Sequence, residues 1–391
     1  MKWFSDAAHV FWREFRMVFR DPGIMLFFFA LPLVYPIVYS LIYNPEVTRD
    51  MPVAVVDSDR TSLSREFVRH ADATQAMKIC GYASNIEEAR RWWAEKKCFG
   101  VIYIPSDYSE RVGRGEQGLV HFYSDVSLLL RYRTFLSSLT ELQMATDSDL
   151  RQEAINTLGL PVSNSSSIRT EAYFLGDPQQ GFASFIIPGI VVLILQQSML
   201  LGITMLAGTS KDRRRRNGGV DPLAYPASAS ATVVGKSLCY VALYLPLAVY
   251  ALHYIPLMFS FPHIGELHDY FLFILPLLVA TAFLGQAIQG IVSERESSFV
   301  VVVFTSVVFL FLSGLTWPRY AMNSAWIWLG NLIPATWGVE GFININNNGS
   351  PLALQSEPYL WLWGLAAVYF LCAVWATRCA RRWKCHPIPE V

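Results

Sequence analysis

Six apolar stretches recur along the chain, at residues 24–43, 181–207, 231–260, 270–292, 299–315 and 359–377, and each is nearly free of charge. At 1.5 Å per residue such stretches match the ~30 Å hydrocarbon core as helices, so the pattern predicts six membrane spans. The run 299–315 is the shortest. It is counted because, without it, the chain end would change sides and carry its basic cluster to the wrong face. Between the first and second spans, residues 44–178 turn polar and follow a different rhythm. Short apolar runs near 51–56, 77–80, 99–104 and 119–123 alternate with helical patterns ending near His70, over 85–97 and from Ser106. Strands alternating with helices predict an α/β domain with a mostly parallel sheet. A longer helix is expected beyond Asp125 as far as Leu158, stopped by Gly159 and Pro161, with a serine-rich loop over 161–170 leading back to the spans.

Two further segments fit neither a span nor a loop. Residues 1–21 repeat Phe4, Ala8, Phe11, Phe15 and Val18 at helical spacing, with His9, Arg13, Arg16 and Arg20 opposite. This predicts an amphipathic elbow helix, lying either along the bilayer surface with its aromatic side at the acyl boundary or packed on protein. Asp21-Pro22-Gly23 ends it. The span that follows is too long for a signal-peptide core and precedes no small-residue cleavage site. Near the other end, residues 317–357 are apolar and rich in tryptophan but broken by Pro318, Gly330, Pro334 and Gly338. Broken apolar pieces of this kind predict re-entrant or interfacial helices, a surface loop being the alternative. Trp317, Trp326, Trp328 and Trp337 fit an interfacial belt.

Charge then assigns sides. The net charge is zero, but basic residues cluster at Arg13, Arg16 and Arg20, in the loop Lys211-Asp212-Arg213-Arg214-Arg215-Arg216, and at Arg378, Arg381, Arg382 and Lys384. Clustered Lys and Arg beside spans mark the cytoplasmic face. Both termini are therefore expected inside, and the α/β domain outside. The loop over 261–269, without Lys or Arg, is also expected outside. With 53% hydrophobic and 16% charged residues the chain is too apolar for an ordinary soluble domain.

Chemistry is sparse. There is no phosphate-binding glycine loop, no dinucleotide fingerprint and no zinc-protease motif. Asp57-Ser58-Asp59 begins like a calcium loop, but Ser62 and Val68 stand where Gly and Glu belong, so a strand-to-helix turn is the better reading. His263, Glu266 and His268 match no zinc-binding spacing. Cys239, Cys372, Cys379 and Cys385 lie in or beside apolar runs, whereas Cys80 and Cys98 lie in the polar domain and are either free or paired. Asn164 and Asn348 begin glycosylation triplets. The spans hold few ionisable groups, which argues against a proton-coupled carrier, with His253 as the exception. Gln196, Gln197, Gln286 and Gln289 either face a translocation path or bind helix to helix.

Several motifs resemble the ABC-2 type transporter permeases, in particular the bacterial drug-export branch with an enlarged periplasmic domain. They are Met51-Pro-Val-Ala-Val-Val-Asp57-Ser-Asp59, Phe99-Gly-Val-Ile-Tyr-Ile-Pro105 with Asp107-Tyr108, Ser313-Gly-Leu-Thr-Trp-Pro318, and Leu332-Ile-Pro334-Ala-Thr-Trp337-Gly-Val-Glu340-Gly. The basic loop after the second span is more basic and differently ordered than in relatives. The expected fold is a bundle of six transmembrane helices carrying an inserted extracytoplasmic α/β domain. Its parts are an elbow (1–22), span one (23–43), the α/β domain (44–178), spans two to six with the broken segment 317–357 (179–377), and a cytoplasmic tail (378–391). The resemblance implies a permease subunit of an inner-membrane exporter of amphipathic or lipid-like molecules. It has no catalytic site, metal or cofactor of its own, and ATP is held by a partner ATPase. Arg13, Arg16, Arg20, Lys211, Arg213 and Arg214 would meet that ATPase, with charge serving topology alone as the plainer account. Pro334, Trp337 and Glu340 mark the re-entrant segment. Further implied partners are a second permease copy or similar permease, a periplasmic adaptor and membrane lipid, but not nucleic acid. The rival reading is a non-transporting anchor or receptor displaying a ligand-binding domain.

Overall fold

In the computed structural model, which describes residues 2–43, 49–114, 116–124, 133, 135–146 and 181–382, the polar stretch and the spans separate into two units. Part of the expected helix 125–158, the loop 161–170, the triplet at Asn164, and Lys384 and Cys385 lie outside the described residues.

The unit over 47–173 is built on a four-stranded sheet. Its elements are β1 (Met51–Asp57), α3 (Ser62–Asp72), β2 (Met77–Tyr82), α4 (Ile86–Ala94), β3 (Gly100–Ile104), α5 (Tyr108–Gly113), β4 (His121–Ser124) and helix α6 (135–146); α1 and α2 belong to the other unit. The strand order is β2-β1-β3-β4, with β1 parallel to both β2 and β3 and β4 antiparallel to β3. β1 is apolar on both faces because both are covered. Val53 and Val55 pack with Phe67, Val68 and Ala71 of α3 and Phe135 and Leu139 of α6, while Ala54 and Val56 meet Ala89 and Trp92 of α4.

The aspartates after β1 act as a turn. Asp57 accepts from the Asp59 and Arg60 amides at 3.1 and 2.9 Å, and Arg60 takes the left-handed conformation with φ +56°. Thr61 and Ser64 form a capping box that starts α3. Asp59 accepts from the Ser109 hydroxyl at 2.9 Å. Cys80 is exposed, Cys98 is buried, and both are free thiols. Burial, with the neighbouring Cys80, pushes the Cys98 thiol up to about 11. Maleimide at neutral pH is therefore expected to label Cys80 and spare Cys98 until denaturant is added, read by site-resolved mass spectrometry.

The other unit contains α1 (Lys2–Arg20), α2 (Pro22–Tyr43), α7 (Phe182–Arg216), α8 (Ala229–Met258), α9 (Leu267–Ile288), α10 (Arg295–Leu312), α11 (Ser324–Asn331), α12 (Pro334–Asn348) and α13 (Ser356–Arg382). Among the described residues, six helices are long and apolar enough to cross a membrane, namely α2, α7, α8, α9, α10 and one over Leu352–Ala380 that takes in most of α13. α7 is the central post, packed against α2, α9, α10 and α12, and 78% of its apolar window is buried. α10 is peripheral at 17%. Two spans contain a widened π-turn, Leu26–Ala30 in α2 and Tyr250–Tyr254 in α8, each just ahead of a proline (Pro32, Pro256) that lacks the N–H for the preceding turn.

The basic run expected as a loop is helical. α7 continues through Lys211 and Asp212 to Arg216. Lys and Arg are good helix formers, and four cations in the last turn complement the negative end of the helix dipole. At 35 residues α7 is about 50 Å long, so it extends well beyond the ~30 Å core. The broken segment 317–357 forms a 3-10 turn at Arg319–Ala321, then α11 and α12, and α12 is inserted among α7, α9 and α13.

Candidate functional site

At the basic end of the bundle, α1 lies against α8 through a face that the aromatic pattern does not mark. Ala7, Val10, Glu14, Met17 and Val18 are buried, whereas Phe4, Trp12 and Phe19 are exposed. Gly235 of α8 permits the approach, since a Cβ there would stand 2.5 Å from the Ala7 carbonyl oxygen and 2.9 Å from Val10. The centre of the contact is Glu14, fully buried. Its carboxylate meets Lys236 at 3.2 Å and Arg13 at 3.3 Å, and accepts a hydrogen bond from the Tyr240 hydroxyl. Burial works to raise the Glu14 pKa, but Lys236, Arg13 and Tyr240 outweigh it, and the pKa is lowered. Sequence reasoning passed over Glu14 because a lone acid on an amphipathic helix reads as solvated.

The expected coupling residues divide into two groups. Arg13 turns inward, donating to Glu14 and to the Leu223 carbonyl at 3.0 Å. Lys211 donates to the carbonyls of Gln289 (2.7 Å), Gly290 and Val292, closing the end of α9. Arg213 pairs with Asp221 at 3.3 Å, and Arg214 reaches Gly219 at 2.7 Å and Ala380 of α13 at 2.6 Å. The run continues through Arg215 to Glu294 (2.6 Å), and Arg295 meets Asp21 at 2.8 Å. These residues tie α1, α7, α9, α10 and α13 together. Arg16, Arg20 and Arg216 are exposed, as are Val220 and Leu223 in the adjoining loop.

Within the bundle, three of the four glutamines bond helix to helix. Gln286 of α9 donates to Ser237 of α8 at 2.6 Å, and Gln289 donates to Thr377 of α13 at 3.1 Å. Gln196 accepts from the Ala335 amide at 2.6 Å, satisfying a free donor in the first turn of α12. Neither amide atom of Gln197, nor the Gln196 nitrogen, has a partner among the described residues, though all are buried.

At the opposite end, Pro334 opens α12 at a position that suits proline, whose missing N–H is unused there. Trp317, Trp326 and Trp328 are exposed, but Trp337 departs from the expected belt and is buried. It stacks on Trp361 with ring centroids 5.1 Å apart, and its Nε1 donates to the Asn331 carbonyl at 3.1 Å. The Arg319 guanidinium lies 4.4 Å from the Trp337 ring centroid and pairs with Glu340 and Asn331. Nearby, His253 Nδ1 and His263 Nε2 are 2.6 Å apart, and His263 Nδ1 is 2.7 Å from Asn346 Oδ1. The Asn346 amide nitrogen donates to the Pro262 carbonyl, so His263 carries its proton on Nδ1. Burial is the main reason that the His263 pKa is lowered. His253 thus belongs to a hydrogen-bonded chain that joins α8 to α12.

Comparison with known proteins bears on the family of the chain. Residues 22–375 match the family described as ABC-2 family transporter protein. A curated relative, ABC transporter G family member 20 from Dictyostelium discoideum, is 23% identical over 333 residues, covering 83% of this chain and 44% of that protein. The chain therefore spans less than half the length of that relative.

Proposed function

The chain belongs to the ABC-2 family of transporter proteins, and on that premise we propose that it is the permease of an exporter moving amphipathic or hydrophobic molecules, driven by a separate ATPase. The observation that carries this reading is the construction of the basic end. A push on α1 or on the loop after Arg216 meets no soft joint, because Glu14, Lys211, Arg213 and Arg214 bond these parts to four spans. Exposed Arg16, Arg20, Val220 and Leu223 supply the outward surface for the ATPase. Rigid-body motion transmitted there would switch the spans between two states.

Topology follows from charge: the basic end faces the cytoplasm and the α/β unit lies across the membrane. The Gln196 amide nitrogen and the Gln197 amide group, buried in the central helix and without partners among the described residues, suit a path that hydrates or takes cargo in another state. The apolar face of α10 at Val300, Val303, Phe304, Val307 and Phe311 is exposed and suits a second permease copy.

An ATPase purified with the chain should hydrolyse ATP faster in its presence, and Arg16→Glu with Arg20→Glu should remove most of that stimulation without lowering folded yield. Unchanged hydrolysis with and without the chain would favour the anchor reading. A reporter fused near Ala145 should be reached only from the extracytoplasmic side of the membrane, and labelling from the cytoplasmic side would overturn the orientation.

A further inference from the structure

A cavity of about 560 Å³ opens where α11 and α12 meet the ends of α7 and α10. Phe185, Tyr320, Trp337, Glu340, Asn344 and Glu357 stand on its wall, together with Arg319. Two carboxylates against one guanidinium leave one negative charge in excess, and no other basic side chain among the described residues is on the wall. The guanidinium occupies the site as a ligand would. It lies over the Trp337 face and is paired with Glu340, on a stem that crosses Gly314. Gly314 adopts φ +85°, and a Cβ there would stand 2.9 Å from the Arg319 Cγ. An aromatic face with a carboxylate at its edge is the recognition chemistry of an organic cation. Glu357 is exposed and has no basic partner among the described residues.

We propose that this cavity binds an organic cation with an apolar body, which displaces Arg319 from Trp337 and Glu340. Arg319 is a tethered competitor: it keeps the seat filled when no ligand is present and sets how tightly a ligand must bind to enter. That the bound cation is cargo rests on the exporter reading above, but the binding does not.

The test compares tetraphenylphosphonium with tetraphenylborate, two ions of the same shape and opposite charge, by equilibrium dialysis against the full chain in nanodiscs, with empty nanodiscs subtracted. The phosphonium should bind saturably and the borate should not. Glu340→Gln should weaken phosphonium binding about tenfold, and Glu357→Gln severalfold. Arg319→Gln should tighten it by about tenfold, because the competitor is gone while Glu340 remains. Glu357 is exposed, so its variant reports on charge with little risk to folding. Equal binding of the two ions, or an Arg319→Gln variant that binds phosphonium no better than the parent, overturns the proposal. ATP-dependent transport in proteoliposomes separates the two readings. Export of a neutral amphiphile without phosphonium binding sinks this site and leaves the exporter standing. Phosphonium binding without any export does the reverse.

Discussion

Glu14→Ala is expected to cost about 3 kcal/mol of stability and to release α1 from α8, because it leaves the partly buried cations Lys236 and Arg13 without their counter-charge and the Tyr240 hydroxyl without its acceptor. Chemical unfolding in detergent should read this as a lowered midpoint. Glu14→Gln keeps an acceptor for the Tyr240 hydroxyl and should fall between the two. Adding Lys236→Met to Glu14→Ala should recover part of the loss, since the stranded charge is then removed. A double variant as unstable as the sum of the singles would mean that packing, rather than charge, holds the joint. The pH dependence has a definite sign. The folded pKa of Glu14 lies below its ordinary value of 4.5, so its contribution is complete above that value and is lost as pH falls through the folded pKa.

Lys211→Met is expected to cost about 2–3 kcal/mol and to loosen the turn between α9 and α10, because the ammonium is the donor for three carbonyls there. Methionine keeps the apolar length and removes the donors and the charge. Lys211→Arg should rescue only in part, since a planar fork cannot converge on three oxygens as a compact ammonium does. Thermal unfolding in detergent checks stability, and ATP-dependent transport in proteoliposomes checks coupling. Transport should fall more than stability does, as the same bonds join α7 to the neighbouring spans. Full transport with a destabilised fold would assign Lys211 to packing alone.

Much of the architecture was legible in the residue pattern. Long apolar runs leave few alternatives to helices, and the doubly apolar Met51–Asp57 strand marks the centre of a sheet. Errors arose where a local pattern has two structural answers. The run Lys211 to Arg216 is hydrophilic enough for a loop, yet its residues are good helix formers and α7 simply continues. Trp337 looked like its exposed neighbours, and only the arrival of Trp361 and Arg319 at its faces made it interior.

The functional residues show the same division. Sequence alone determined that the chain crosses a membrane, how many spans it offers, where its charge is concentrated and that a separate sheet interrupts the spans, because these depend on local hydropathy and periodicity. Tertiary structure alone decided which polar groups are partners. Glu14 and Lys236 lie far apart in sequence, as do Lys211 and Val292, or Arg319 and Glu340, and nothing in either segment of a pair marks the other. The reason is physical: the environment of a charge, which sets whether it is solvated, paired or poised for a ligand, comes from helices brought beside it by packing.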